Sequence, residues 1–389
     1  MKLCKFFAVL FCLSMLLSAF TGCVREPAQT LEDASLQTET STGGVGDSED
    51  EENADTEPSF DFDAAYASHA PDTAMIIVGD YTVTWGEIFF LFHENLRLLK
   101  ERNGSYPVFS EINTDGITYA ESIIEYAIDN SLRFRAYEYG AALLEIPITG
   151  DKQQFLDNSI EDMLATVGGE RVFLEMLWKN SGVKDRDLFE YLFYLDYLPY
   201  FIFMEVYGQF GEVLTDEDMA RLTESDGYML AKHIMRMKGT DGDTTPLREL
   251  EIVLRQLNTY VGDDFDEFFD TLMFENSEDA GGLYEYPDGY LFRLGDMEPP
   301  FDEVCNSLEI GEISGVVETG AGYHIIYRLP VNFDTTPIAS AQQGESDTLR
   351  VLTAMELFEE DMLEWKAALN PVFTDAFRAL DLSAIFVLR

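Results

Sequence analysis

Residues 308–326 read Leu-Glu-Ile-Gly-Glu-Ile-Ser-Gly-Val-Val-Glu-Thr-Gly-Ala-Gly-Tyr-His-Ile-Ile. Glycines at 311, 320 and 322 punctuate loops, and Gly322-Tyr323-His324-Ile325-Ile326 is a short β-like run carrying a histidine. A similar run lies upstream, Ala231-Lys232-His233-Ile234-Met235. The chain holds only 4 histidines in 389 residues, and these two bracket one Gly-rich stretch. Imidazole is the side chain whose unperturbed pKa lies closest to neutral pH, so chemistry is expected inside that bracket. His69, at a linker edge, and His93, in a helical pattern, carry little.

Inside the bracket, Leu247 to Leu257 and Phe265 to Phe274 keep helical periods, while Gly281-Gly282, Pro287-Asp288-Gly289 and Gly295-Asp296 mark loops. An α+β domain over 226–330 follows. Further upstream, Met75 to Trp85 reads as two short strands about a Gly79-Asp80 turn. Thr84 is placed to cap a helix from Glu87 to about Arg102. Helices follow over 117–145, 152–167, 170–180 and 185–207, and Thr215-Asp216-Glu217-Asp218 opens a short one. Residues 75–225 therefore form a mostly helical domain. Residues 331–347 read as a polar connector and 348–389 as a return to helix, running to Leu380 and packing with the helical domain.

Leu188 to Val206 is rich in Phe, Tyr and Leu, but Glu190, Asp196, Pro199 and Glu205 oppose a membrane span. An Asp at the centre of a spanning helix costs roughly 2.5–3.5 kcal/mol. The segment reads as a buried core helix, with a groove for unfolded polypeptide as the sharper alternative for its aromatic face.

At the start of the chain, Lys2 and Lys5 precede the apolar run Phe6 to Leu17, as in an export signal over 1–22. Ser18-Ala19-Phe20-Thr21-Gly22-Cys23 then resembles a lipoprotein cleavage site, with Cys23 as the lipidation candidate. Cys4 and Cys12 would leave with the signal, so Cys305 alone would remain in the folded body, and it reads as a small core residue. Residues 23–74 read as an acidic disordered tether: no Lys or Arg occurs between Arg25 and Arg97, and the segment up to about 60 has little to bury. With 73 Asp and Glu against 25 Lys and Arg, the net charge of −48 excludes nucleic acid as a partner. No phosphate loop, metal-ligand cluster or Ser-His-Asp arrangement is recognisable, and no cofactor is expected.

The order His233, helix, Gly281-Gly282-Leu283, Gly295-Asp296-Met297, Pro300-Phe301, Gly311-Glu312-Ile313-Ser314, Thr319 and Gly322-Tyr323-His324-Ile325-Ile326 resembles the parvulin family of peptidyl-prolyl isomerases. With its signal and flanking helices the whole is similar to extracytoplasmic foldases of the PrsA and SurA type. The resemblance implies a small antiparallel sheet with surrounding helices, inserted in a helical chaperone-like lobe. It also implies a proline pocket of Met297 and Phe301 with Leu283 on its wall, and paired His233 and His324 bonded to each other or to Thr319. The family's acid position falls near Ser277-Glu278-Asp279, where Asp279 is the first choice and Ser277 the second. Tyr284 to Leu294 is longer than the family's loop. The implied function is a lipid-anchored isomerase and foldase for secreted polypeptides containing proline, a homodimer being one assembly the resemblance allows. The alternative is a non-catalytic holdase. A solute-binding lipoprotein would need two α/β lobes, whose strand and helix alternation is missing.

Overall fold

The computed structural model describes residues 59–240, 242–344 and 346–389. The expected signal segment, Cys23 and the tether up to residue 58 lie outside the described residues. Strands β1 (Ala74–Val78), β2 (Tyr81–Thr84), β3 (Met229–Met237), β4 (Tyr290–Phe292), β5 (Ile313–Glu318), β6 (Gly322–Leu329) and β7 (Pro371–Phe373) form two antiparallel sheets. Their orders are β2-β1-β7 and β4-β3-β6-β5. The described residues divide into two units, 59–202 with 361–389 and 203–360. The division falls inside the helices Arg186–Val206 and Leu349–Ala368.

In the first unit, β1 and β2 lead into helix Trp85–Asn103. Thr84 accepts from the Glu87 N–H while the Glu87 carboxylate accepts from the Thr84 N–H, so two otherwise orphaned donors are satisfied together. Thr118 and Glu121 repeat the device for Tyr119–Leu143. Ile88, Phe89, Phe92 and Leu96 make the buried face of the first helix. At Gly140 of the second, a side chain would overlap the Trp365 indole, so the close approach of Trp365, carried by helix Leu349–Ala368, requires glycine. Arg135 is fully buried and meets Glu87 at 2.6 Å and Glu138 at 2.9 Å, the pairing that a desolvated guanidinium needs.

Two expectations change in this unit. Residues 60–73, read as the end of the tether, belong to the fold. Phe60 and Tyr66 are buried, and Trp85 Nε1 donates to the Tyr66 carbonyl at 2.8 Å. A few aromatics are enough to anchor a segment whose average composition reads as solvated. The helix expected to run to Leu380 ends at Ala368, because Pro371 has no N–H and disfavours helix at Asn370, and only the short helices Asp375–Arg378 and Leu382–Ile385 follow. Pro371–Phe373 instead add a third strand to β1, with Ile76 opposite Phe373.

Among the described residues no helix is long and apolar enough to cross a membrane. Arg186–Val206 buries Phe189, Leu192, Phe193, Leu195, Leu198 and Ile202, as a core helix does.

In the second unit, the register of β3 with β6 sets His233 opposite Ile326 and Met235 opposite His324. Side chains alternate along a strand, so one face carries Ala231, His233, His324 and Ile326 and the other carries Ile234, Ile325 and Tyr327. The second face packs on helices Thr245–Thr259 and Phe265–Asn276 through Leu250, Val253, Leu257 and Phe269. The first face packs on helix Pro299–Ser307, where Phe301 and the fully buried Cys305 meet Tyr290, Phe292 and Ile326. A third cluster joins Met219, Leu230, Leu291 and Leu349.

Candidate functional site

The histidine face of the second sheet holds most of the residues singled out in the sequence. His233 on β3 and His324 on β6 bring their Nδ1 atoms to 3.3 Å. Thr319, in the loop between β5 and β6, has its Oγ1 2.9 Å from His324 Nε2. Asp279 follows helix Phe265–Asn276 and sets Oδ2 2.6 Å from His233 Nε2.

The segment reaches that place by zipping onto the end of β3. Ser277 Oγ accepts from the Met235 N–H at 3.2 Å, and the Glu278 N–H donates to the Met235 carbonyl at 2.9 Å. Of the two residues considered for the acid position, Ser277 is thus bound to the β3 backbone and Asp279 is the one that meets His233.

These contacts form one continuous chain. The Asp279 carboxylate can only accept, so His233 Nε2 carries a proton and donates it. His324 meets His233 through the two Nδ1 atoms and Thr319 through its own Nε2. The Thr319 oxygen in turn accepts the N–H groups of Ala321 and Gly322 at 3.2 and 3.3 Å.

The electrostatics agree. Burial, then the neighbouring His233, lowers the His324 pKa to about 4, so it is uncharged at neutral pH. Burial opposes ionisation of Asp279, but it is outweighed by hydrogen bonds from His233 and Tyr290, the nearby His233 and the Gly282 N–H, which bring its pKa down to about 2. The carboxylate is therefore ionised at neutral pH.

Phe301 lies edge-on to both rings, its centroid 5.3 Å from His233 and 5.6 Å from His324. Met297 is partly buried against the same cluster. Leu283 is not on this wall. It packs with Ile234 and Leu257 on the opposite face of the sheet, because Gly281–Glu285 forms a single π-helical turn that carries residue 283 away from Asp279. Of the three residues expected to hold the proline ring, Met297 and Phe301 lie on the histidine face.

Two residues of the site escaped the sequence reading. The Glu298 carboxylate accepts from the N–H groups of Gly320 at 2.6 Å and Ala321 at 3.1 Å, latching the loop that carries Thr319. These backbone bonds, first that from Gly320, lower its pKa. Tyr290 donates its hydroxyl to Asp279 Oδ2 at 2.8 Å. The Gly289-Tyr290-Leu291-Phe292 run after an Asp-Gly turn was the available signal for β4, and the register of that strand is what aims the ring.

Residues 250–329 match the rotamase family, described as a PPIC-type PPIASE domain. The chain carries a parvulin-type rotamase domain. His233 lies before the matched stretch, and His324 within it. The chain is 28% identical over 214 residues to the foldase protein PrsA of Halalkalibacterium halodurans, covering 54% of this chain and 57% of that protein. It is 35% identical over 77 residues to peptidyl-prolyl cis-trans isomerase ESS1 of Saccharomyces cerevisiae, covering 20% of this chain and 45% of that one. The chain thus spans about half the length of these relatives. Among solved structures, PrsA from Bacillus cereus is similar at 17% identity and a TM-score of 0.30, covering 69% of this chain and 96% of that one. The parvulin domain is thereby supported by its own sequence match as well as by the geometry of the histidine face.

Proposed function

We propose that the protein is a membrane-anchored, extracytoplasmic peptidyl-prolyl isomerase and foldase acting on exported polypeptides that contain proline. The observation that carries this reading is the unbroken chain of contacts from Thr319 through His324 and His233 to the Asp279 carboxylate, beside Phe301 and Met297.

Rotation about an Xaa-Pro bond meets a barrier of about 18–20 kcal/mol that comes from amide resonance. No bond is made or broken, so no nucleophile or cofactor is required. The catalyst must hold the proline ring and favour the twisted amide, in which resonance and its charge separation are lost. Phe301 and Met297 supply apolar surface for the ring. The paired imidazoles give a floor that is largely buried and rigid, since each nitrogen is committed to a partner. A floor of this kind does not stabilise the planar, more polar amide as water does. His233 and His324 therefore act by organising the site rather than as acid and base.

The anchor rests on Cys23 and the export-like segment before it. A homodimer is tested by sedimentation of the purified protein. Refolding of a protein whose slow phase is proline isomerisation tests the enzyme: the full chain should accelerate that phase. No acceleration, with aggregation still suppressed, would establish the holdase in its place.

A further inference from the structure

Tyr290 comes from Tyr284–Leu294, the stretch longer than the family's loop. Building on the isomerase reading, we propose that it is a positioning residue that holds the Asp279 carboxylate against His233. Its placement follows from pairing: β4 runs antiparallel to β3 with Tyr290 opposite Ala231. It therefore shares the face of His233, two residues further along the same strand.

The hydroxyl donates to Oδ2, the oxygen that also takes His233 Nε2–H and the Gly282 N–H at 3.1 Å, while Oδ1 accepts the Gly281 N–H at 3.2 Å. With both oxygens committed, a carboxyl that is still partly open to solvent has one orientation. The ring is held as well as the hydroxyl. Its centroid is 5.6 Å from His233 at 67° and 4.8 Å from Tyr286.

The two glycines are shaped to this contact. A Cβ at Gly281 would lie 2.6 Å from the Tyr290 hydroxyl, and one at Gly282 would lie 2.8 Å from Asp279 Oδ2. Burial, then the bond to Asp279, raises the tyrosine pKa, so the hydroxyl remains a donor across the working range. The groups facing Asp279 are His233 and Tyr290, with Tyr286 and Glu285 behind the tyrosine.

The test is Tyr290→Phe in the full chain, which keeps the ring and removes one donor. Carboxyl-carbon NMR of Asp279 across acid pH should show its midpoint move up by about one pH unit, the shift expected for losing one charge-assisted hydrogen bond. In proline-limited refolding, kcat/KM should fall about 3- to 10-fold, and the loss should vanish in an Asp279→Asn background. Gly281→Ala, which crowds the hydroxyl away, should reproduce the NMR shift with the tyrosine still present. An unmoved Asp279 midpoint in Tyr290→Phe, or an equal loss of rate in both backgrounds, would overturn the proposal. The NMR readout needs no turnover. A wild-type chain that fails to accelerate refolding would sink the isomerase reading, and the titration would still judge the contact between Tyr290 and Asp279.

Discussion

His324 is the residue on which acid sensitivity of the second unit depends. Its folded pKa is about 4, against about 6.5 for a free imidazole. As pH falls from about 6.5 to 4, the unfolded chain takes up a proton that the folded site refuses, and stability declines by up to about 3 kcal/mol. Asp279 is depressed instead, so its contribution persists through that window and is lost only as pH falls through about 2. Urea unfolding at pH 7 and pH 4.5 should show the loss in the wild type and much less in His324→Gln. Met297 serves the substrate more than the fold, being only partly buried. Met297→Ala should lower kcat/KM roughly tenfold, mainly through KM, for about 1.5 kcal/mol of apolar contact with the proline ring. The scarcity of histidine was enough to locate this site in the sequence. Asp279 could not be separated from Ser277 there, since the choice depends on how the 277–279 segment zips onto β3. Leu283 was misplaced because a π-helical turn shifts facing in a way that no residue pattern announces.

Helix starts were legible at Thr84 and Thr215, which satisfy orphaned N–H groups by local contacts, whereas the short helices capped by Asp61 and Thr374 were not read. Thr84→Ala should cost the first unit about 1 kcal/mol in chemical unfolding. The three-residue strands β4 and β7 were not read as strands, since they are defined by partners far away in the chain. Helix Arg186–Val206 holds a further consequence. Burial raises the Asp196 pKa to about 7, so above that pH the helix keeps an ionised carboxylate in an apolar setting. Asp196→Asn should stabilise the first unit by about 1–2 kcal/mol at pH 8 and have less effect at pH 5, where the wild-type group is already neutral. Denaturation at the two pH values measures the difference.

The unit that carries the site is larger than the stretch bounded by its motifs. Met219, Leu230, Leu291 and Leu349 close a cluster that also takes in Val331 and Phe333. Arg350 ties the same region together by bonding Asp334 at 2.7 Å and Asp216 at 2.6 Å. A fragment cut at 226–330 leaves Leu230 and Leu291 without Met219 and Leu349, each worth about 1.5–3 kcal/mol of burial. It should unfold at clearly lower urea than a fragment spanning 208–360, and equal midpoints would show that the cluster adds nothing. Caps and periodicity determined most of the helices, and the ordered glycines and histidines determined the parvulin domain, because all of these are local. The pairing of the two histidines, the choice of Asp279 and the entry of Tyr290 were decided only by tertiary structure. They depend on which strands pair and in what register, and that follows from burying two faces of one sheet at once.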